Sequence, residues 1–405
     1  MSKTVSVIEY ERVSKDKLKD SDYKHLKDLC FDEQYKDILN CYNGKICFKN
    51  YAGVLQLKND TFIEILPKIC FADSLIDESR KIFTKMIAVL KSDYYKAFSE
   101  THISADKFPL LEVFIKIFLD ELDNIVKKGL KRNYVKTTEN SLFIKGKVKI
   151  LQNIKYNYLH KEKNYIEYSK YIANIPENII LRTCIEFLKS KSNDFDNIKR
   201  LNQMLFLFNN IPISHNIDVE FKKVCITRLN QYYESALELA KVFLSGNSYL
   251  PKQGNTELMS LMFPMQKIFE DYIFFNLRKT CKNNFKKIKA QSHPYYLIDS
   301  HKKFNLKPDI TMDNDDKIMI LDTKWKLVDS SKIDGKCGVS QSDLYQLYAY
   351  GKKYQRKTNK NVELYLIYPK TEKFQEARPW NFEDDKSLPI TIVPYDLEKD
   401  KLLLD

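Results

Sequence analysis

Over KICFKNYAGVLQLKNDTFIEILPKI (residues 45–69) hydrophobic and polar side chains come close to alternating, the period of half-buried strands, and Asn59-Asp60 breaks the run where a hairpin turn fits. Residues 1–70 are therefore expected to be strand-rich. After FADS the period changes. In RKIFTKMIAVLKSDYYKAF, Ile82, Met86, Val89 and Leu90 recur at helical spacing. A second helix is expected after Pro109, over LLEVFIKIFLDELDNIVKKGL, closing in a lysine cluster before Gly129. Between 141 and 158, SLFIKGKVKILQNI returns to strand-like alternation around Gly146. Pro176 suits a helix start for ENIILRTCIEFLKSK, and RLNQYYESALELAKVFL (228–244) is another amphipathic helix.

The segment SGNSYLPKQGN (245–255), with two of the nine glycines, is the best domain junction. Beyond it the pattern predicts a helix over MFPMQKIFEDYIFFNLRK, with Ile268, Phe269, Tyr272, Ile273 and Leu277 as its apolar stripe. Strands are expected over KKIKAQSHPYYLI, FNLKPDITM and KIMILDTKWKLV, the last two joined by a turn at Asp313 to Asp316. A helix over SQSDLYQLYAYGKKY and a strand over VELYLIYP complete an αβββαβ succession. The expected organisation is multidomain α+β or α/β: a β-rich region over 1–75, a mostly helical region over 76–245 and a mixed sheet flanked by helices over 246–405.

Composition changes this picture little. A chain of 405 residues with 43% hydrophobic content can bury sizeable cores. The formal net charge of +13 favours a polyanionic partner, but only nine of the 67 basic residues are arginine, a bias that an A/T-rich genome also produces. Eight scattered cysteines, with no CxxC pair and no histidine in ligand spacing, argue against structural zinc. The start MSKTVSVIEYERVSKDK carries charges where a signal peptide needs an apolar core, and no segment reaches 18 uncharged apolar residues. A cytoplasmic location, reduced thiols and no membrane contact are expected. There is no GxxxxGK[ST], so nucleotide hydrolysis falls to a partner.

The chemistry concentrates in KPDITMDNDDKIMILDTKWK (307–326). On a strand, Asp322 and Lys324 point to the same face, and Asp309 on a neighbouring strand converges on them. Two carboxylates with a backbone carbonyl leave Mg²⁺ open positions for water and a phosphate oxygen, and a lysine nearby stabilises charge at phosphorus. Glu270, from the preceding helix, adds a third carboxylate. Asp343, Gln346 and Tyr350 share one helix face, beside Leu344, Leu347 and Ala349. Against this, strand ends and turns favour Asp and Lys anyway, and Gln346 also reads as a satisfied structural amide. Nothing places His293 or His301 against the carboxylates, and Cys337 lacks a partner that would make it a nucleophile. The basic, aromatic stretches 127–136 and 149–165 fit DNA or an acidic surface, and equally a solvated face.

Glu270, Asp309, Asp322-Thr323-Lys324 and Gln346 stand in an order that resembles the PD-(D/E)xK nuclease superfamily. More narrowly, the chain resembles the McrC family, the nuclease subunit of McrBC-type modification-dependent restriction systems, over almost its full length. IEILPKI (63–69), KGKVKI (145–150), PENIILR (176–182), FPMQKIFEDY, KPD, LDTKWK and SDLYQLYAYG match that family's motifs in order. Trp325, Lys307 and Lys145 depart from the tyrosine and arginines usual in that family, departures that bear on substrate preference rather than activity. The resemblance implies a C-terminal restriction-endonuclease-like domain in which Asp309, Asp322, Lys324, Glu270 and Gln346 are catalytic and Asp309, Asp322, Thr323 and Glu270 hold Mg²⁺. It also implies double-stranded DNA as substrate, with no small-molecule substrate. The partner it implies is an McrB-like AAA+ ring that binds the GTP, engaged by residues from about 1 to 245. By its own residues IEILPKI reads as a strand stabilising a sheet edge, ended by Pro67. Two other readings stand: a regulator of the GTPase with a degenerate nuclease domain, and a stand-alone metal-dependent nuclease.

Overall fold

The computed structural model of the protein describes residues 3–13, 15–42, 44–57, 61–69, 76–89, 109–245, 260–292, 295–298, 303–331, 337–358 and 360–404. These form two bodies, one from Leu111–Ser245 and one from the chain on either side of it. In the second body, β1 (Thr4–Ile8) is followed by a helix the alternation did not announce, α1 (Asp20–Leu29). Asp20 and Asp22 in its first turn complement the helix dipole, and Leu26 anchors it in the core. A hairpin of β2 (Leu39–Tyr42) and β3 (Lys45–Phe48) precedes β4 (Tyr51–Gln56) and β5 (Phe62–Leu66), which pair antiparallel as expected; Asn59-Asp60 lies outside the described residues.

The IEILPKI strand is not at a sheet edge. β5 lies between β4 and β1, which pairs with it in parallel, and all five of its residues are buried. Even Glu64 is inside, because its carboxylate is fully satisfied. It takes two hydrogen bonds from Arg80 on α2 (Ile76–Val89), at 2.8 Å each, one from Ser6 Oγ at 2.5 Å and one from the Leu110 amide at 2.9 Å.

Leu110 opens α3 (Leu110–Lys128), which runs into the first body with apolar residues buried nearly all round, as a central helix requires. Its buried Glu112 is satisfied by Ser192, Asn193 and Asn197. Next, β6 (Asn133–Ser141), the two-residue β7 (Lys147–Val148) and β8 (Asn164–Ile172) form an antiparallel sheet in the order β6–β8–β7. The strand-like alternation expected over 141–158 stops at Val148. Residues Ile150–Asn157 are a helix, α4, whose Ile150, Leu151 and Ile154 share a face and are exposed. Gly146 has a φ of +68°, and a Cβ there would lie 2.5 Å from the Glu167 carbonyl oxygen of β8, so glycine alone fits the approach.

The body closes with α5 (Pro176–Lys189), α6 (Phe195–Leu207), α7 (Ile217–Lys223) and α8 (Glu234–Ser245). α5 starts at Pro176 as read; α8 starts at Glu234, later than its amphipathic pattern suggested. The PENIILR motif is a pin: Asn178 donates to the carbonyls of Lys131 and Ala173 and accepts from the Tyr233 hydroxyl. The junction expected at 245–255 lies, beyond Ser245, outside the described residues.

Returning to the second body, β9 (Ser260–Pro264) pairs with β4 and completes a sheet in the order β1–β5–β4–β9. Helix α9 (Met265–Thr280) follows directly, with the predicted stripe buried. Two strands expected to be continuous are each broken. KKIKAQSHPYYLI becomes β10 (Lys287–Ala290) and β11 (Tyr295–Ile298), while FNLKPDITM becomes β12 (Lys303–Leu306) and β13 (Ile310–Asp313). Pro308 has no N–H to donate, so the ladder fails there. Among the described residues β11 and β12 pair with each other alone.

The main sheet runs β10–β13–β14–β15–β17–β16, from β14 (Lys317–Thr323), β15 (Asn361–Pro369), β16 (Arg378–Phe382) and β17 (Asp385–Asp396), with β18 (Lys401–Leu402) on β17. β14, β15 and β17 are parallel, the outer pairs antiparallel. Helix α10 (Gln341–Lys357) crosses from β14 to β15 and packs Leu347, Tyr350 and Tyr354 on Ile318, Ile320, Leu364, Leu366, Ile390 and Ile392. On the other face α9 sets Phe269 against Tyr395. The architecture is mixed α+β with several separate sheets. Among the described residues no helix is long and apolar enough to cross a membrane, and the described cysteines are free thiols.

Candidate active site

β14 carries its alternating apolar residues into the core and ends on Asp322-Thr323, where the parallel partner β15 still pairs, Leu366 beside Asp322 and Ile367 beside Thr323. The period of two that buries Ile318 and Ile320 under α10 sends Asp322 to the same side. Asp322 is wholly buried, and neither of its carboxylate oxygens has an aligned hydrogen bond among the described residues. Its companion is Lys324: Nζ lies 2.7 Å from Oδ2, within ion-pair distance. Burial, then the charge of Asp309, pushes the Asp322 carboxyl up to about 7. For Lys324, burial alone would lower the ammonium pKa, but Asp322, Asp343 and Asp309 outweigh it and raise it.

Asp309 sits one residue before β13, at the bend Pro308 imposes, rather than on a strand. Its Oδ2 accepts from the Thr323 amide and from Thr323 Oγ1, each at 2.8 Å, which fixes the acid against the end of β14. Glu270 comes from α9. It is buried, and burial followed by the charge of Asp309 raises its pKa. Its Oε1 takes hydrogen bonds from Lys267 at 3.1 Å and Gln291 at 3.0 Å. Asp309 is thus the acid felt by both others: Asp322 belongs with α10, Glu270 with α9.

Gln346 is exposed on α10, with Oε1 3.5 Å from Lys324 Nζ and Nε2 donating to the Tyr350 hydroxyl at 2.8 Å; that hydroxyl donates to the Lys307 carbonyl at 3.2 Å. Asp343, one turn earlier, stands 3.8 Å from Lys324. The shared face of Asp343, Gln346 and Tyr350 therefore turns toward the Lys307–Asp309 bend and Lys324, while Cys337 is buried in the core and His293 and His301 lie outside the described residues.

Three contributors had no periodic signal. Gln266, in the first turn of α9, donates Nε2 to the Thr323 carbonyl at 2.6 Å and accepts from the Trp325 amide at 2.8 Å, clamping the backbone on both sides of Lys324. Gln291 orients Glu270. Glu9 accepts from the Trp325 indole at 3.0 Å. Only Gln266 falls inside a motif quoted from the sequence, and even there its role depends on tertiary contact.

Among the described residues no three Asp, Glu, His or Cys side chains form a group able to hold a metal by themselves. The donor chemistry nevertheless fits a hard cation. Asp322 is a wholly buried carboxylate whose one close charge partner is Lys324, on Oδ2, Asp309 supplies a second carboxylate, and Mg²⁺ takes one or two carboxylates with water and phosphate oxygens for the rest. The Thr323 carbonyl, already accepting from Gln266, has a second lone pair.

Among known proteins, the family described as McrBC 5-methylcytosine restriction system components matches residues 46–369. A chain of the refined half-complex from the tetradecameric assembly of Thermococcus gammatolerans McrB AAA+ hexamers with bound McrC superposes with a TM-score of 0.70 at 19% identity, over 97% of this chain and 94% of that one. A chain of the cryo-EM structure of the Thermococcus gammatolerans McrBC complex superposes with a TM-score of 0.50 at 20% identity, over 68% of this chain and 87% of that one. No curated protein matches the chain. At these identities the superpositions speak for the fold, while the sequence match spans well over half of the residues: the chain belongs to the family of McrBC 5-methylcytosine restriction system components.

Proposed function

We propose that this chain is the DNA-cutting subunit of a GTP-driven, modification-dependent restriction complex. Its main-sheet region acts as a PD-(D/E)xK nuclease, and an McrB-like AAA+ ring is its partner. The observation that carries the reading is the end of β14, where buried Asp322 and Lys324 pair beside an Asp309 locked to Thr323. A buried acid with a depressed preference for its charged form is expensive, and such perturbed groups gather where chemistry is done.

Asp309 and Asp322, with the Thr323 carbonyl and Glu270, are the residues that would hold Mg²⁺, which neutralises charge at a phosphodiester and aids ionisation of water. The chain's own groups do the rest. Lys324, kept cationic by Asp322 and Asp343, offers its ammonium to the charge that develops on phosphate oxygens. Gln346 limits where that ammonium can swing. Gln266 holds the backbone on either side, and Gln291 aims Glu270.

The Leu111–Ser245 body supports a partner-binding role. Around β7 and α4 it exposes Leu142, Phe143, Ile144, Ile150, Leu151, Ile154, Tyr158 and Leu159, several at more than 60%. Apolar side chains massed this way on an outer face mark a protein interface. Lysines interleave: Lys145 lies over the Tyr168 ring and Lys155 over Tyr156. Such a face suits an acidic, apolar-lined partner surface.

A regulatory subunit with a degenerate nuclease region is favoured by one observation, the lack of a three-donor metal group among the described residues. One experiment separates the readings. The chain is mixed with its AAA+ partner, GTP, Mg²⁺ and DNA with or without methylated cytosine. Double-strand breaks confined to the complete, methylated reaction support the nuclease; faster GTP hydrolysis with intact DNA supports the regulator.

A further inference from the structure

The N-terminal sheet is attached to the candidate active site at two places, and the second is a single buried carboxylate. The first is covalent: β9 pairs with β4 and runs directly into α9, whose first amide, Met265, donates to the Asn50 carbonyl at 2.9 Å. This fixes Gln266 and Glu270 relative to the sheet. The second is Glu9. Its amide extends the β1–β5 ladder by donating to the Leu66 carbonyl at 2.8 Å, so its backbone belongs to the sheet. Its carboxylate, 0% exposed, accepts from Trp325 Nε1 at 3.0 Å.

Trp325 is the residue after Lys324. Its amide is held by Gln266 and its ring meets Phe269 edge-on, with centroids 5.3 Å apart. The Glu9 bond therefore completes a loop of contacts: sheet to α9, α9 to the backbone around Lys324, and that backbone to the sheet through the indole. The same carboxyl lies within hydrogen-bonding reach of the backbone at Asn50 and Lys68 and of the Tyr10 side chain, so the indole is tied to a group that several points of the N-terminal chain hold in place.

We infer that Glu9 is a positioning residue of the candidate active site, holding Trp325 and through it the backbone on which Lys324 is presented. The N-terminal sheet is thereby part of the cutting machinery rather than of the partner-binding body. This rests on the nuclease reading for its consequence, but not for its geometry.

The test uses the full chain and its complex with the GTPase partner, in four forms besides wild type: Glu9→Gln, Glu9→Leu, Trp325→Phe and the Glu9→Leu/Trp325→Phe double variant. The first readout is hydrogen–deuterium exchange of the segment 321–328 in the isolated chain. Exchange there speeds up in Glu9→Leu and Trp325→Phe alike, no further in the double variant, and does not rise above wild type in Glu9→Gln, whose amide oxygen still accepts. The second readout is DNA cleavage: the maximal rate falls about 10- to 100-fold in the same three variants, as loss of an orienting outer partner does, with KM for DNA and GTPase stimulation unchanged. Wild-type exchange in both Glu9→Leu and Trp325→Phe, or independent multiplicative effects of the two, overturns the inference. Should Glu9→Leu not fold, Trp325→Phe alone decides, since Phe keeps the packing on Phe269. A wild-type complex that never cuts DNA removes the nuclease reading and leaves the exchange data to judge the Glu9 contact.

Discussion

Asp309 Oδ2 accepts two hydrogen bonds from one residue, the amide and the hydroxyl of Thr323, each at 2.8 Å. The backbone bond survives substitution, the hydroxyl bond does not, so Thr323→Val isolates the second. A hydrogen bond to a carboxylate contributes about 1.5–3 kcal/mol, and its loss leaves Asp309 held by the amide bond alone. Thr323→Val is expected to cut about 10- to 100-fold more slowly and to need more Mg²⁺ for half-maximal cleavage, with Tm lowered by a few degrees. A titration of cleavage against Mg²⁺ checks it.

Glu64 and Arg80 are both buried and joined by two hydrogen bonds, and Glu64 also receives the first amide of α3. Removing one partner leaves the other charge stranded, which costs about 3–5 kcal/mol. Arg80→Ala should lower the denaturation midpoint steeply, and Glu64→Gln less so, because the amide oxygen still accepts. Urea unfolding at neutral pH measures both.

Gly146 lies between the exposed Leu142, Phe143 and Ile144 and the start of β7. Alanine there meets the Glu167 carbonyl at 2.5 Å with the backbone in the left-handed region, so the β7–β8 contact must open at a cost of about 1–3 kcal/mol. Gly146→Ala should impair GTPase stimulation while leaving the Thr323–Asp309 geometry untouched. A coupled GTPase assay beside the exchange pattern of residues 317–323 shows the separation.

Glu9 is pushed up from 4.5 to about 7, chiefly by burial, against the lowering effect of the Trp325 bond. A carboxyl raised on folding favours the native state fully below pH 4.5, and that advantage is lost as pH climbs through 7. Wild type and Glu9→Gln should therefore melt alike at pH 4 and diverge up to pH 7.5, with Glu9→Gln the more stable by an amount of order 3 kcal/mol. Calorimetric Tm against pH checks the sign: equal curves, or a wild type gaining as pH rises, contradict it.

Much of this site was legible because strand alternation is local. Asp322 and Lys324 follow Ile318 and Ile320 at a period of two, and the acidic turn places β13 beside β14. The stripe of α9 and the face of α10 followed from helical spacing in the same way. What escaped depends on distant chain. Glu9 and Trp325 are hundreds of residues apart, and β1 reaches β5 in parallel, so IEILPKI looked like an edge strand from its own residues. The helix at 150–157 escaped for another reason. Lys147-Val148-Lys149-Ile150 alternates like a strand, and only Ile150, Leu151 and Ile154 together betray the helix. Pro308, visible from the outset, carried more weight than alternation did: it ends β12 and puts Asp309 in a bend.

The most direct test of the central claim is the cleavage rate of methylated DNA by the assembled complex carrying Lys324→Ala or Asp309→Asn, with GTP hydrolysis followed in the same tube. Cleavage lowered by about 10²-fold or more with GTP turnover at the wild-type level is the predicted result. Wild-type cutting by either variant would place the chemistry elsewhere.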